Sequence, residues 1–383
     1  MKIESIETFT NEFVSVVRVR TDEGHEGWGQ VAPYLADITA QVVHRQVAPW
    51  LLGRDLGTLS LADLDAATDE VLEREHKFPC SYLYRALCGV DTALWDIRGK
   101  IQNKSVCKLL GGSASSFPAY ASSMQRNITP EQELARFQKL KDLHGYRSFK
   151  FRIGKECGHD QDQWPGRTEA IIPTIRKGLG DDVALLVDAN SSYSPPRAIE
   201  VGKLLQEHGI NHFEEPCPYW ELEWTKQVTD SLDIDVSGGE QDNYLPIWQK
   251  ITREKIVDIA QPDICYMGGI TRTLRVVELA KQAGMPITLH AANLSLVTLF
   301  SLHMMGGISN PGKYLEFSIE GLDYYPWQND IFTPGFMITD GNLAIPDTPG
   351  WGIELNPDWL ARQQHQISRI GQDFPDLKLR AGL

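Results

Sequence analysis

No two of the six cysteines (Cys80, Cys88, Cys107, Cys157, Cys217 and Cys265) form a Cys-x-x-Cys pair. Their scatter speaks against a disulfide framework and for reduced, mostly buried thiols in a cytoplasmic protein. The chain also lacks any apolar run of membrane-spanning length. Its first residues, Met1-Lys2-Ile3-Glu4-Ser5-Ile6-Glu7-Thr8, alternate in polarity and have no signal-peptide apolar core. Basic residues are the minority, 37 Lys and Arg against 51 Asp and Glu, for a net charge of −14. That balance argues against nucleic acid or an anionic membrane as partner. No Gly-x-Gly-x-x-Gly follows a strand candidate, so a dinucleotide site has no support. What is present is an ordinary soluble composition, 42% apolar and 23% charged. Its 383 residues suffice for one large core and a second, smaller one.

Residues 1 to 30 read as antiparallel strands, with a turn at Thr21-Asp22-Glu23-Gly24. Residues 82–99 place Leu83, Ala86, Leu87, Val90, Ala93, Leu94 and Ile97 at helical spacing, which predicts a buried face. A separate α+β domain is therefore expected over 1–115, ending near Gly111-Gly112-Ser113. From Phe117 the pattern becomes short strand, helix, short strand, repeated. Strand candidates are 119–122, 148–153, 183–188, 211–214, 235–238, 256–261, 286–290 and 314–317. Thr129-Pro130-Glu131-Gln132 supplies an N-cap, a proline at the first helical position and a capping-box glutamine, and Gly145 closes that helix. Ser194-Pro195 and Gly209 bracket the helix after Asp188 in the same way. Eight strands with about seven crossovers favour a closed α/β barrel over an open sheet, here spanning 116–330. Residues 331–356 carry short strands and turns, and 331–383 are expected to return to the N-terminal domain as part of a cap over the barrel mouth. The Gly268-Gly269 turn before a helix can receive an anion, but a plain tight turn is the preferred reading.

Three acidic residues each close a short apolar run: Asp188, Glu214 and Glu240. Both intervals are 26 residues, one strand-plus-helix unit. In a parallel barrel such strand ends meet at one rim, where active sites lie. One acid after a strand is ordinarily a helix cap or a solvated charge. The repeated spacing shifts the balance towards a shared cation, and all-oxygen ligands suit Mg²⁺. Glu215 is expected to point away from the shared site by strand alternation. Lys150 and Arg152, two apart on one strand, share a face. Periodicity leaves open whether that face is inner or outer, and the carboxylates favour inner, where two cations beside a metal would attract an anion. Asp263 and His290 end successive strands, and a carboxylate there would orient the imidazole and raise its pKa. Glu316 ends the last strand and is read either as a substrate hydrogen-bonding group or as a solvated rim charge.

The ordered set Lys150-x-Arg152, Asp188-x-Asn190, Glu214-Glu215-Pro216, Gly239-Glu240, Pro262-Asp263, His290 and Glu316 resembles the mandelate racemase subgroup of the enolase superfamily. The helical segment from Asp91 to Lys100 is also similar to that family's cap domain. The resemblance covers essentially the whole chain. It implies an α+β capping domain on a modified (β/α)7β TIM barrel, with Mg²⁺ on Asp188, Glu214 and Glu240 and a His290–Asp263 base dyad. It further implies a carboxylic acid substrate that loses its α-proton to give a metal-bound enediolate, and a homo-oligomer. A Lys or His base working with Mg²⁺ is a general description of enolase-superfamily sites.

One position departs from the family's pattern. Where a second lysine often serves as a base opposite the histidine, this chain has Arg152. Guanidinium stays protonated and is a poor general base. A racemase needs an acid or base on each face of its carbanion. A dehydratase can work with one, because the histidine that takes the α-proton can protonate the departing hydroxyl. The expected activity is therefore a Mg²⁺-dependent dehydratase of a sugar acid (aldonate or aldarate) giving a 2-keto-3-deoxy acid. The alternatives are a 2-hydroxy acid racemase or epimerase and a non-catalytic metal-binding barrel. Lys150, Asn190 and Glu316 are the expected substrate-binding groups. Specificity is expected in segments 8–13, 31–34, 77–82 and 322–327, with Lys77 the candidate second cation for a diacid.

Overall fold

A computed structural model describes residues 1–79 and 81–374; Cys80 and residues 375–383 lie outside it. The other five cysteines are free thiols, four of them buried and Cys157 exposed. The N-terminal region opens with strands β1 (Ile3–Thr10), β2 (Ser15–Thr21) and β3 (Glu26–Gln30), paired antiparallel in chain order. Strand Gln364–Arg369 adds to the free edge of β1, from Ser5↔Arg369 to Thr10↔Gln364. The long helix Ser81–Ile101 packs on this sheet, and all seven residues of its predicted apolar stripe are buried. Close approach depends on glycine: a Cβ at Gly27 would lie 2.2 Å from Ala93 O, and one at Gly29 2.2 Å from Gly89 O.

The second region is a closed parallel barrel. Strands β4 (Ser116–Ser122), β5 (Ser148–Arg152), β6 (Ala184–Asp188), β7 (His212–Glu214), β8 (Asp235–Gly238) and β9 (Ile259–Ala260) lie side by side in sequence order. Strand β10 (Leu315–Ser318) pairs in parallel with β4 and closes the ring. The stretch 286–290 fills the remaining place through isolated bridges, Ala260↔Ile287, Asp263↔His290 and Ile287↔Pro311, instead of a continuous ladder. Pro262, Pro286 and Pro311 lack the N–H groups a ladder needs there. Helices connect successive strands, so the architecture is the expected (β/α)7β barrel beneath an α+β cap.

The capping box at Thr129 and Gln132 forms, and Gly145 ends that helix at φ 69°. Ser194 sits at an N-cap but its hydroxyl is used elsewhere, donating to Asp160 Oδ2 at 2.8 Å. At Gly268-Gly269 the helix start receives a carboxyl group, and it is the protein's own. Asp91 Oδ2, from the cap helix, accepts from Thr271 N at 3.2 Å. A Cβ on Gly269 would lie 2.2 Å from that oxygen. Nearby, Trp95 Nε1 donates to Thr271 Oγ1 at 3.0 Å. A second joint is Gln30, which donates to Ser295 Oγ at 2.9 Å and accepts from Leu296 N at 3.1 Å. Among the described residues no helix is long and apolar enough to cross a membrane.

Candidate active site

The pleat of β5 turns Ser148, Lys150 and Arg152 to one side, and both cations are buried. The register Arg152↔Asp188 and Asp188↔Glu214 brings three strand ends level at the C-terminal rim. Glu316, on β10, pairs with Tyr120 of β4 and completes the ring from the other side. Lys150 Nζ donates to Glu214 Oε1 at 2.8 Å and Oε2 at 3.0 Å. It also stands 2.8 Å from Glu316 Oε1 and 3.4 Å from Asp188 Oδ2. Burial opposes its charge, but the Glu214, Glu316 and Asp188 carboxylates hold its pKa well above the usual lysine range. Arg152 donates through Nη1 to Asp188 Oδ2 and to Asn190 Oδ1, the latter at 2.7 Å. Its Nε donates to Ser123 O at 3.1 Å. The inward face, left open by periodicity, is the one these residues take.

His290 and Asp263 are joined as expected: Nδ1–H donates to Asp263 Oδ2 at 2.7 Å. The other Asp263 oxygen accepts from Tyr266 N at 2.9 Å, so the carboxylate is fixed by the helix it caps. His290 Nε2 is therefore the ring nitrogen turned to the cluster, 3.6 Å from Glu240 Oε2. Burial would lower the His290 pKa, but the Glu240 charge, the Asp263 hydrogen bond and the Glu316 charge together push it up to about 10. Glu240 is itself raised to about 7, by burial and by the Asp188 and Glu214 charges acting against His290. Glu316 is a buried and fully engaged group, not a solvated rim charge. It accepts from Ser122 Oγ at 2.7 Å and Ala291 N at 2.9 Å. Glu214 is buried too, yet Lys150 and His212 hold its carboxyl well below the usual range.

Asp188, Glu214 and Glu240 are thus in one buried cluster, but each carboxylate is turned to a cation of the chain: Arg152, Lys150 and His290 respectively. Among the described residues, no three His, Cys, Asp or Glu side chains are gathered in a metal-holding arrangement. The physical reason is the interleaving of Lys150 and Arg152, whose N–H groups take the oxygens that the expected triad would share. The donor set still fits a hard dication. Five buried carboxylates (Asp188, Glu214, Glu240, Asp263, Glu316) face two permanent cations and one histidine, leaving an excess of negative charge that burial penalises. Gln261 donates to Glu214 Oε2 at 3.0 Å while its own Oε1 is buried without a partner.

Two features escape a sequence reading. Glu215 has φ 42°, which takes it off the strand alternation. It is buried, lining a small pocket with Cys217, Leu222 and Ile251, and burial with the Glu240, Asp188 and Glu214 charges raises its pKa well above normal. Arg126, in the loop after β4, reaches the site through Nη2, which donates to Asn190 Oδ1. Nothing in its local sequence marks it. Lys77, by contrast, is exposed in the turn before the cap helix, and part of its segment, Cys80, lies outside the described residues. Segments 8–13, 31–34 and 322–327 do meet: Phe13 stacks on Trp327 with centroids 5.5 Å apart, and Tyr34 meets Trp327 edge-on at 6.1 Å.

Comparison with known proteins bears on this arrangement. Residues 2–111 match the mandelate racemase / muconate lactonizing enzyme N-terminal domain, and residues 132–359 match the enolase C-terminal domain-like family. A crystal structure from Roseobacter denitrificans, named provisionally as a racemase, is 61% identical with a TM-score of 0.94, covering 97% of this chain and 100% of that one. A mandelate racemase/muconate lactonizing protein from Paracoccus denitrificans PD1222, complexed with magnesium, is 27% identical with a TM-score of 0.86, covering 97% and 99%. The arabinonate dehydratase of Saccharolobus solfataricus is 27% identical over 350 residues, 89% of this chain and 88% of that enzyme. With both halves matched and the barrel rim built as described, the chain belongs to the enolase superfamily, in its mandelate racemase subgroup.

Proposed function

We propose that this enzyme is a Mg²⁺-dependent dehydratase of a sugar acid, converting it to a 2-keto-3-deoxy acid. The observation that carries the reading is the His290–Asp263 pair: His290, oriented by Asp263, is the group at the cluster that becomes a base once a bound metal offsets the carboxylates that hold it protonated. Arg152 and Lys150, opposite, are both held protonated by the carboxylates around them. The dehydratase name of the Saccharolobus relative supports the same assignment.

Asp188, Glu214 and Glu240 would hold the metal. When bound there, Mg²⁺ supplies charge to stabilise a developing enediolate and offsets the carboxylates that keep His290 protonated. His290 Nε2 takes the proton from the α-carbon, and the Cα electron pair moves towards the carboxylate. Lys150, fixed beneath, contributes permanent positive charge in a site closed to solvent, where it acts most strongly. The electron pair then expels the β-hydroxyl, which leaves as water with the proton carried by His290. The enol left behind gains a proton at the β-carbon, loses its O–H proton and becomes the keto acid. Asp263 would keep the imidazole, once deprotonated, in the tautomer with Nε2 free, and Asn190 and Glu316 are the proposed hydrogen-bonding groups for the substrate. Catalytic roles are thus assigned to His290, Asp263, Lys150, Arg152 and Glu316, with Arg152 as a fixed cation that balances Asp188.

The same reading takes 1–115 and 331–383 as cap and 116–330 as barrel, and sets the enzyme in the cytoplasm as a homo-oligomer. Exposed Tyr219, Trp220, Trp224 and Tyr244 on the segments after β7 and β8 support subunit contact, since aromatic surface of that kind is commonly covered. A panel of aldonates and aldarates incubated with Mg²⁺ tests the chemistry, with keto-acid formation the expected result. The Roseobacter relative's provisional name favours a second reading, racemisation of a 2-hydroxy acid. Inversion of the α-centre in D₂O without keto acid would establish that reading and remove the first. If no acid sugar exchanges its α-proton and His290→Asn alters only stability, the barrel binds metal without catalysis.

A further inference from the structure

We propose that the preferred substrate is a dicarboxylate, an aldarate over the corresponding aldonate, and that Arg126 holds the carboxylate remote from the reacting carbon. This rests on the acid-sugar reading above and goes beyond it to the second end of the molecule. Arg126 lies in the loop after β4 and touches the reactive cluster through one residue. Asn190 Oδ1 accepts from both Arg126 Nη2 and Arg152 Nη1. Its Nε is buried and has no partner. A buried, unsatisfied N–H on a charged guanidinium costs free energy unless a ligand completes it. The same side chain lines a cavity of about 760 Å³ at the barrel mouth, between the loops after β4, β5 and β10. That volume suits a small polar molecule.

The other walls fit a hydroxylated chain. Gln125, Asn127, Gln163 and Tyr324 face the cavity with both donors and acceptors. Acidic groups also border it. Of these, Glu320 is already neutralised, 3.1 Å from Arg136 and accepting from Met124 N at 2.8 Å. Glu156 and Asp323 are exposed, where water screens them, and Lys155 stands among them. One substrate carboxylate belongs with Lys150 and the metal. A monoacid would leave the half-buried Arg126 facing only hydroxyls, whereas a carboxylate can accept from a guanidinium through two parallel bonds.

The test compares an aldarate with the aldonate of equal chain length and configuration, using wild type with Mg²⁺, Arg126→Gln and Arg126→Lys. Wild type should favour the aldarate in kcat/KM by on the order of 10–100-fold, the range of one charge-assisted contact. Arg126→Gln should collapse that ratio chiefly through KM, and Arg126→Lys should restore part of it. Thermal shift with each acid reads the same contact without turnover. If the shift favours the aldarate in wild type but not in Arg126→Gln, while no keto acid forms, this inference stands and the dehydratase reading falls. An aldonate preference in wild type overturns the proposal. So does an equal loss for both acids in the variants, which would make Arg126 only a support for Asn190.

Discussion

The two ends of the barrel are made from the same strands and differ in almost every physical respect. At the C-terminal rim, inward positions carry Lys150, Arg152, Asp188, Glu214 and Glu316, all buried and all paired. At the N-terminal mouth, a cavity of about 620 Å³ is walled by Val183, Leu185, Leu186, Ile259 and Pro286. Two residues of rise along β6 separate Leu186 from Asp188. The buried Tyr120 hydroxyl lies between the two regimes, bordering the lower cavity and finding no partner in the protein. The contrast shows where this fold tolerates cost. Desolvated charge is concentrated where chemistry needs it, whereas the charges that border the cavity at the other end, such as Asp181, Asp235 and Lys313, are exposed to water. This is the division expected of barrels whose function sits at one face.

The sharpest way to break the comparison is at the dyad. His290→Asn should lower keto-acid turnover by about 10²–10⁴-fold, the usual contribution of a general acid-base group. Steady-state kinetics will check it. Lys150→Met comes next. It leaves Glu214 and Glu316 buried without their cation, and such removal typically costs about 3–5 kcal/mol. Denaturant melts should show that loss at neutral pH, and added Mg²⁺ should recover part of it.

A third test uses histidines away from the acids. His303 accepts from Cys107 N at 3.1 Å and donates to Trp351 O at 3.1 Å, and burial lowers its pKa to about 4. His44 lies between Thr8 Oγ1 at 2.9 Å and Ser368 Oγ at 2.8 Å and is likewise lowered to about 4 by burial. Between that value and an ordinary pKa of about 6.5, the unfolded chain binds a proton that the folded chain refuses. Stability therefore rises with pH through this window and is lost on acidification, by up to roughly 3 kcal/mol per histidine. His44→Gln should flatten the slope in melts recorded from pH 7 to pH 4, and an unchanged slope would refute the assignment. The smallest effect belongs to the floor: Tyr120→Phe removes a hydroxyl without a protein partner and should shift stability by less than about 1 kcal/mol.

Much of this was legible in the chain because barrel units repeat. A 26-residue interval with an acid at each strand end is a local signal, and pleat alternation then placed Lys150 and Arg152 together once the carboxylates chose their face. Asp263 and His290 were readable for the same reason. What escaped depends on conformations or contacts with no periodic trace. The positive φ at Glu215 is one. Arg126 reaches Asn190 across 64 residues from an irregular loop. The bridges at 286–290 reflect prolines that interrupt a ladder, and although 331–383 was expected to return to the N-terminal domain, the pairing of Gln364–Arg369 with β1 had no short-range pattern to announce it. At Gly268-Gly269 the glycines signalled room for an anion but could not say that Asp91 would fill it.

That internal carboxylate has a mechanical consequence. Asp91 and Trp95 clamp the cap's main helix to the start of Ile270–Gln282, and Gln30 fastens the cap sheet to the segment before Leu296–Gly307. Fasteners at two separated points tie the cap to the barrel, so any swing of the whole cap would have to break both, whereas the rim contacts of Phe13 and Tyr34 with Trp327 are between rings.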